Sequence, residues 1–211
     1  MSASPKPDLK DFFALPIPDL VERFATGSSR LDSRLLKLDN EQLDTFFRPE
    51  ADVGRWSCRV LVGHIADADL VFIHRMRRTV AEDHPVLAPF DEDAFIDAGL
   101  YQPSVASERG TVPLQASGLG PTTAAQPSAA PPTSRKPHTN LPIAGFVAVI
   151  HTLRLWHADW LRTLSNEAFR RTALHPQRGE QTVQTILVYD TWHLEHHAWF
   201  LDRKLDRLLG A

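Results

Sequence analysis

Four segments of the chain carry apolar residues at helical spacing, and this pattern constrains the fold more than any other feature of the sequence. Within each segment the apolar residues recur three, four or seven positions apart, which places them on one face of a helix. The segments span residues 17–38, 56–72, 142–164 and 182–208. No comparable stretch alternates apolar and polar residues with β-branched side chains, as a half-buried strand would. The sequence therefore predicts an all-α fold, an antiparallel four-helix bundle.

Two of the predicted helices follow a hydroxyl residue that can cap the first turn. Ser57 precedes the second helix and Thr182 precedes the fourth, and a hydroxyl at this position accepts a hydrogen bond from a backbone N–H of the first turn. Trp56 can also pack on Leu61 as a hydrophobic staple. We therefore expect the second and fourth helices to begin just after these caps.

A long proline-rich segment separates the second and third helices. Residues 102–140 hold seven of the sixteen prolines and a single acidic residue, Glu108, among Ala, Ser, Thr and Gly. Such a composition cannot build a core, and a structureless stretch of this length is usually functional or disordered. We predict a single domain over residues 1–211 with a low-complexity, flexible insert at residues 102–140.

Composition excludes several classes of protein. The chain has 211 residues, of which 43% are hydrophobic, so it can bury a sizeable core. Its formal net charge of −3 offers no basic field for phosphate backbones or anionic lipids. We therefore expect neither nucleic acid nor membrane as a partner. Cys58 is the only cysteine, which excludes an internal disulfide framework and favours a cytoplasmic location.

Three histidines are the candidate ligands of a metal ion. His193 and His197 lie four residues apart, on one face of the fourth helix, and a third imidazole such as His64 from the second helix would complete a set. His196 is rotated by about 100° from that face, so we interpret it as a bystander. Spacing alone is equally compatible with buried histidines that serve only packing.

The motifs around these histidines resemble those of a known family. They are W-S-x-x-x-L-x-G-H-I-A-D-A-D at residues 56–69, H-P-x-x-G-E-x-T at residues 175–182 and H-x-x-H-H at residues 193–197. In order and spacing they are similar to the DinB/YfiT-like metalloenzyme superfamily. The resemblance covers most of the chain but not residues 102–140.

The resemblance implies a function and a set of ligands. Members of the superfamily are four-helix bundles, commonly homodimers, with nickel or zinc held by one histidine of the second helix and two of the last. Here these correspond to His64, His193 and His197. The superfamily includes enzymes that transfer a low-molecular-weight thiol and others proposed as metal-dependent hydrolases. The resemblance thus implies a cytoplasmic thiol S-transferase or hydrolase acting on a small-molecule substrate.

Two carboxylates are candidate catalytic residues. Asp190, one turn before His193, could be a fourth ligand or could accept the free N–H of a ligating imidazole. Asp67, three residues after His64, could orient that ring or accept a proton. We interpret Cys58 as a small buried hydrophobe rather than a nucleophile.

Other residues receive structural interpretations. His157 suits a packed face beside Trp156 and Trp160, although it could also reach the centre from the third helix. We interpret the cluster of Arg75, Arg77 and Arg78 as a solvated face.

The alternative function is a non-catalytic metal-binding or stress-related binding module, with the proline-rich insert as its docking segment.

Overall fold

The computed structural model describes residues 5–101 and 142–210. Its helices, in chain order, are α1 (Leu9–Phe13), α2 (Ile17–Ala25), α3 (Asn40–Leu43), α4 (Cys58–Ala81), α5 (Glu92–Asp97), α6 (Ile143–Leu161), α7 (Asn166–Arg170) and α8 (Val183–Leu209). Two short strands, β1 (Thr172–His175) and β2 (Gly179–Thr182), precede α8. The predicted insert at residues 102–140 lies outside the described residues, and the single-domain organisation stays a prediction.

Four of the helices form the bundle. Helix α4 packs against α6 and α8, and α2 packs against the same two helices. The buried apolar residues form two clusters, and α8 contributes Ile186 and Leu187 to one and Leu194 and Leu201 to the other. The predicted all-α four-helix bundle is confirmed. Among the described helices, none is both long enough and apolar enough to cross a bilayer.

Both predicted caps are present. Ser57 Oγ accepts a hydrogen bond from the backbone N–H of Val60 at 3.3 Å, and Thr182 Oγ1 accepts one from Thr185 at 3.0 Å. Helix α8 ends at Gly210, whose φ of 70° is the left-handed conformation typical of a glycine cap. The two helices that carry the three histidines therefore begin where the sequence predicts.

The first predicted helix is shorter than expected. A continuous helix over residues 17–38 was the wrong interpretation, because α2 ends at Ala25 and two 3₁₀ turns, Gly27–Arg30 and Ser33–Lys37, follow it. Thr26 Oγ1 bonds back to the carbonyl of Glu22, and the sequence Gly-Ser-Ser has low helix propensity. Leu31, Leu35 and Leu38 are nonetheless buried, because a spacing near three residues also suits 3₁₀ turns, whereas Leu36, outside that spacing, is 52% exposed.

The sequence also failed to predict the hairpin before α8. Strands β1 and β2 pair antiparallel, with Thr172 opposite Thr182 and His175 opposite Gly179. Gly179, with φ 75°, supplies the left-handed conformation that the turn needs. Each strand has only four residues and little β-branched content, so neither strand produces a strand pattern.

A buried ionic network joins all four helices of the bundle. Arg154 of α6 donates to both carboxylate oxygens of Asp69 on α4, at 2.7 and 2.8 Å, and to Oδ1 of Asp190 on α8 at 3.0 Å. It also donates to the carbonyl of Phe24 on α2 at 3.4 Å. Gly27 permits this arrangement, since an added Cβ would lie 2.7 Å from Arg154 Nη1. All three ionic side chains are fully buried.

Candidate metal centre

The three predicted ligands lie together. The Nε2 atom of His193 lies 3.1 Å from Nε2 of His64 and 3.0 Å from Nε2 of His197. One nitrogen from each of the three rings lies within 4.8 Å of the others. The structure thus brings one residue of α4 and two residues of α8 to a single point in the bundle.

The chemistry of this donor set fits a divalent metal ion. A neutral imidazole Nε2 has one in-plane lone pair, so His193 cannot accept good hydrogen bonds from both neighbours at once. Four-coordinate zinc, with Zn–N distances of 2.0–2.1 Å, places its ligand nitrogens about 3.3 Å apart. The observed distances between the Nε2 atoms are close to that value. The three rings can therefore hold such an ion with little movement.

Burial keeps these imidazoles in the form that binds metal. It lowers the pKa of His64 to about 4. Burial, followed by the proximity of the neighbouring histidines, lowers the pKa values of His193 and His197 well below the ordinary range. All three rings are thus neutral at pH 7, and a metal ion does not have to displace protons from them.

Local packing around His64 explains the residues on either side of it. Tyr101 lies against Gly63, where an added Cβ would overlap the tyrosine ring. The Tyr101 hydroxyl donates to Asp67 Oδ2 at 2.7 Å. Gly63 and Asp67 together hold Tyr101 on α4, so the motif around His64 contains residues with a structural role as well as a candidate ligand.

The two predicted catalytic carboxylates lie in different surroundings. Asp67 accepts the hydrogen bond from Tyr101, and Asp190 belongs to the network of Arg154. Burial raises the pKa of Asp190 well above its ordinary value, and the charge and hydrogen bond of Asp69 raise it further. Within the part of the chain that the structure describes, Asp190 Oδ2 and His193 Nδ1 both lack hydrogen-bond partners. A catalytic role for Asp67 or Asp190 stays a prediction.

A carboxylate that no sequence motif indicated also approaches the histidines. Oε2 of Glu92 lies 3.7 Å from Nε2 of His64, and the Glu92 side chain is 51% exposed. Glu92 is the first residue of α5, which Asp91 caps through a hydrogen bond from Ala94. No motif marks this residue, because α5 is a short helix in the connection after α4.

Two clefts border the histidines. One has a volume of about 170 Å³, touches His197, and is lined mainly by Trp56, Leu61 and Phe200. The other has a volume of about 100 Å³ and touches His64 and His193. Its lining is more polar and includes Glu92, Arg75, His175 and Arg178. The histidine cluster is thus open to small molecules.

Three other residues lie where the sequence placed them. His196 stacks on Trp192, with ring centroids 4.5 Å apart. His157 packs between Trp160 and Phe24, with its ring centroid 4.8 and 5.9 Å from theirs. Cys58 is fully buried, and burial raises its thiol pKa to about 11, which makes it a weak nucleophile.

The arginine cluster was interpreted wrongly. Arg75 is only 7% exposed, and the guanidinium of Arg77 lies over the rings of Trp156 and Trp160. Only Arg78 behaves as a surface residue, paired with Glu82. The charge run had suggested solvent exposure, but the long aliphatic stems of arginines allow them to lie over apolar and aromatic surface.

The burial of His157 predicts a dependence of stability on pH. Burial, together with the charge of Arg77, lowers its pKa to about 3. Below pH 6.5 the unfolded chain therefore binds a proton that the folded chain does not, and stability falls as the pH falls. The loss is about 1.4 kcal/mol per pH unit, or about 2 kcal/mol between pH 6.5 and pH 5. The buried histidines of the metal centre contribute losses of their own, so we expect His157→Leu to lose about 2 kcal/mol less than the wild type over this pH range in urea unfolding of the metal-free protein.

A surface histidine provides the control. His151 is exposed and bonds only to Ser28 among its described contacts, so His151→Asn should keep the pH dependence of the wild type. If His157→Leu loses as much stability between pH 6.5 and pH 5 as the wild type does, His157 is not the group responsible.

Relatives of the chain carry names that describe candidate metal-dependent hydrolases. One from Oceanobacillus iheyensis is 25% identical over 167 residues, covering 79% of this chain and 73% of the relative. Another, YfiT from Bacillus subtilis, is 26% identical over 186 residues, covering 86% of this chain and 79% of the relative.

The structural comparison agrees with the sequence comparison. The solved structure of YfiT is described as a candidate metal-dependent hydrolase with an unusual four-helix bundle topology. It matches this chain with a TM-score of 0.62 and 21% identity, over 92% of this chain and 87% of YfiT. The two proteins share a fold.

A sequence profile of the DinB superfamily matches residues 23–201. This match includes helices α4 and α6 and helix α8 as far as Leu201, with all three clustered histidines. It confirms the resemblance that the motifs indicated. Since the match spans most of its length, the chain belongs to the DinB superfamily.

Proposed function

We propose that the chain is a metal-dependent hydrolase, with a divalent ion, zinc or nickel, held by His64, His193 and His197. The observation that carries the proposal is the convergence of three neutral imidazole nitrogens beside an open cleft. Three protein ligands leave coordination positions free, which is typical of catalytic rather than structural sites. The names of the relatives support hydrolysis as the reaction.

A bound divalent ion would supply a water molecule of lowered pKa and would polarise the substrate carbonyl. The residues of the chain would do the rest. The three imidazoles, neutral at pH 7, hold their lone pairs toward one point. Tyr101, fixed on Gly63 and Asp67, packs against the first turns of α4 and helps to keep His64 in place.

Glu92 is the residue placed to move a proton. Its Oε2 atom, 3.7 Å from His64 Nε2, faces the same cleft as the histidines. From this position the carboxylate can accept a proton from the attacking water and return it to the leaving group. Such proton transfer contributes about 10²–10⁴-fold to rates in enzymes.

The test is hydrolysis by protein in defined metal states. Chelator-treated protein, and the same protein reloaded with zinc or nickel, would be assayed on small esters and amides with and without a low-molecular-weight thiol. Turnover that requires the metal but not the thiol supports the hydrolase. A requirement for the thiol would favour thiol transfer instead, and no turnover in any metal state would contradict the proposal.

Replacing Glu92 tests its role separately from metal binding. We expect Glu92→Gln to lower kcat by about 10²–10⁴-fold, because the amide cannot accept the proton. Bound metal, measured by mass spectrometry of the elements, should stay at the wild-type level. Asp93→Asn is the matched control, since Asp93 is the next residue and pairs with Arg55. A kcat unchanged in Glu92→Gln would remove Glu92 from the mechanism.

A further inference from the structure

The cleft beside His64 and His193 contains two arginines that have no acidic partner. Arg75 of α4 and Arg178 of the turn between β1 and β2 both line it. Among the described residues, no carboxylate lies within 4.0 Å of either guanidinium. The other buried arginines differ, since Arg59 pairs with Asp44 and Arg154 pairs with Asp69.

Arg75 is the stronger indication, because it is buried. Its Nη2 atom donates to the carbonyl of Ala88 at 2.8 Å, while its Nε is buried and has no partner among the described residues. Burial, followed by the charge of Arg178, lowers its pKa. A buried cation without a counter-charge is unfavourable. A bound anion would relieve both the desolvation and the repulsion between the two arginines.

Arg178 approaches the cleft from the hairpin. It is exposed, and its guanidinium lies 4.9 Å from the centre of the Tyr189 ring, which supports the side chain. Burial raises the pKa of Glu92, and the positive charge of the nearby Arg178 partly opposes this effect. With Arg75, Arg178 and Glu92 as the ionised groups of the lining, the cleft has a net positive charge.

His175 adds an uncharged donor to the same cleft. Its Nδ1 atom accepts a hydrogen bond from the backbone N–H of Gln177 at 3.2 Å, so in the neutral ring the proton resides on Nε2. Burial, and then the charges of Arg75 and Arg178, lower its pKa and keep it neutral. The cleft therefore combines two guanidinium groups with one N–H donor of an imidazole.

We propose that Arg75, Arg178 and His175 form a subsite for an oxyanion, and that the substrate is a small molecule carrying a carboxylate or phosphate group beside the bond that is cleaved. Guanidinium groups are suited to both groups, because their N–H donors match the geometry of the oxygens. The volume of about 100 Å³ limits the anionic part to a short group. The assignment of this anion to a substrate rests on the proposed hydrolase; the subsite itself does not require a metal ion.

The subsite is tested by anion binding to the full-length, chelator-treated protein. Inorganic phosphate and acetate would be titrated by calorimetry at low ionic strength. We expect at least one of the two anions to bind. Arg178→Gln should raise the Kd for that anion by about ten-fold or more, the effect of losing a hydrogen bond to a charged group. Because Arg178 is exposed, this variant should fold. Arg75→Lys, which keeps the charge but loses the planar fork, should also weaken binding.

Arg170→Gln is the matched control, since Arg170 is an exposed arginine of α7 outside the cleft. The Kd of Arg170→Gln for the anion should equal that of the wild type. Preference for phosphate or for acetate would identify the anionic group, and either preference supports the subsite. Failure of both anions to bind, or equal Kd values for the wild type and Arg178→Gln, would overturn it. Anion binding by a protein that takes up no metal would refute the hydrolase and leave the subsite standing.

Discussion

Replacing His193 with alanine is expected to lower the affinity for zinc by at least about a hundred-fold, since even the loss of a group that only supports a ligand costs 10–100-fold. His193 is the central member of the cluster, because its Nε2 lies 3.0 and 3.1 Å from those of His197 and His64. Two imidazoles would remain, which is too few for a stable zinc site. Metal-dependent hydrolysis should be lost with the metal. A competition titration with a zinc-binding dye measures the affinity directly.

His196→Ala serves as the control for His193→Ala. His196 lies on the same helix but stacks on Trp192, away from the converging nitrogens. Its ring lies against the edge of the His197 ring, but none of its nitrogens belongs to the converging set, so its removal should leave the affinity for zinc within about two-fold of the wild type. Equal affinities for zinc in wild type and His193→Ala would show that the ion binds elsewhere.

Replacing Arg154 with methionine is expected to cause a large loss of stability, about 3–5 kcal/mol in the free energy of unfolding. The variant would leave Asp69 and Asp190 buried without their cation and would remove the bonds that join α4, α6, α8 and the carbonyl of Phe24. Urea unfolding followed by circular dichroism measures the change.

The two acidic partners of Arg154 provide a sharper comparison. Asp190 accepts only one side-chain hydrogen bond from Arg154, through Oδ1, and burial raises the pKa of its carboxyl group well above its ordinary value. Asp190→Asn should therefore cost only about 1 kcal/mol, close to the value of one hydrogen bond. Asp69→Asn removes the carboxylate that receives two bonds from Arg154 and should cost about 3 kcal/mol or more. Equal losses in the two variants would contradict this unequal sharing of the hydrogen bonds of Arg154.

Most of the helices, and the shared face of His193 and His197, could be predicted from the sequence because both depend on local spacing. His193 and His197 lie on one face of α8 by helical geometry alone. That His64 meets them could not be derived from spacing, since it depends on how α4 packs against α8. The family resemblance supplied this contact, and the structure shows the three nitrogens together.

The features around the site that the sequence did not reveal depend on tertiary contacts. Glu92 belongs to a short helix with no motif, and it approaches His64 only because of the course of the chain after α4. Arg154 lies in an apolar helix, where a single charge indicates nothing about its partners on α4 and α8. Arg75 was mistaken for a surface residue because its neighbours in the sequence are also charged.

The most direct test of the central claim is the metal content of the untagged wild-type protein, measured by inductively coupled plasma mass spectrometry. A centre formed by His64, His193 and His197 predicts close to one equivalent of a divalent transition metal, either as purified or after incubation with zinc or nickel and removal of the excess. Protein that retains no metal and takes up neither ion would contradict the claim and leave the three histidines as a packing cluster.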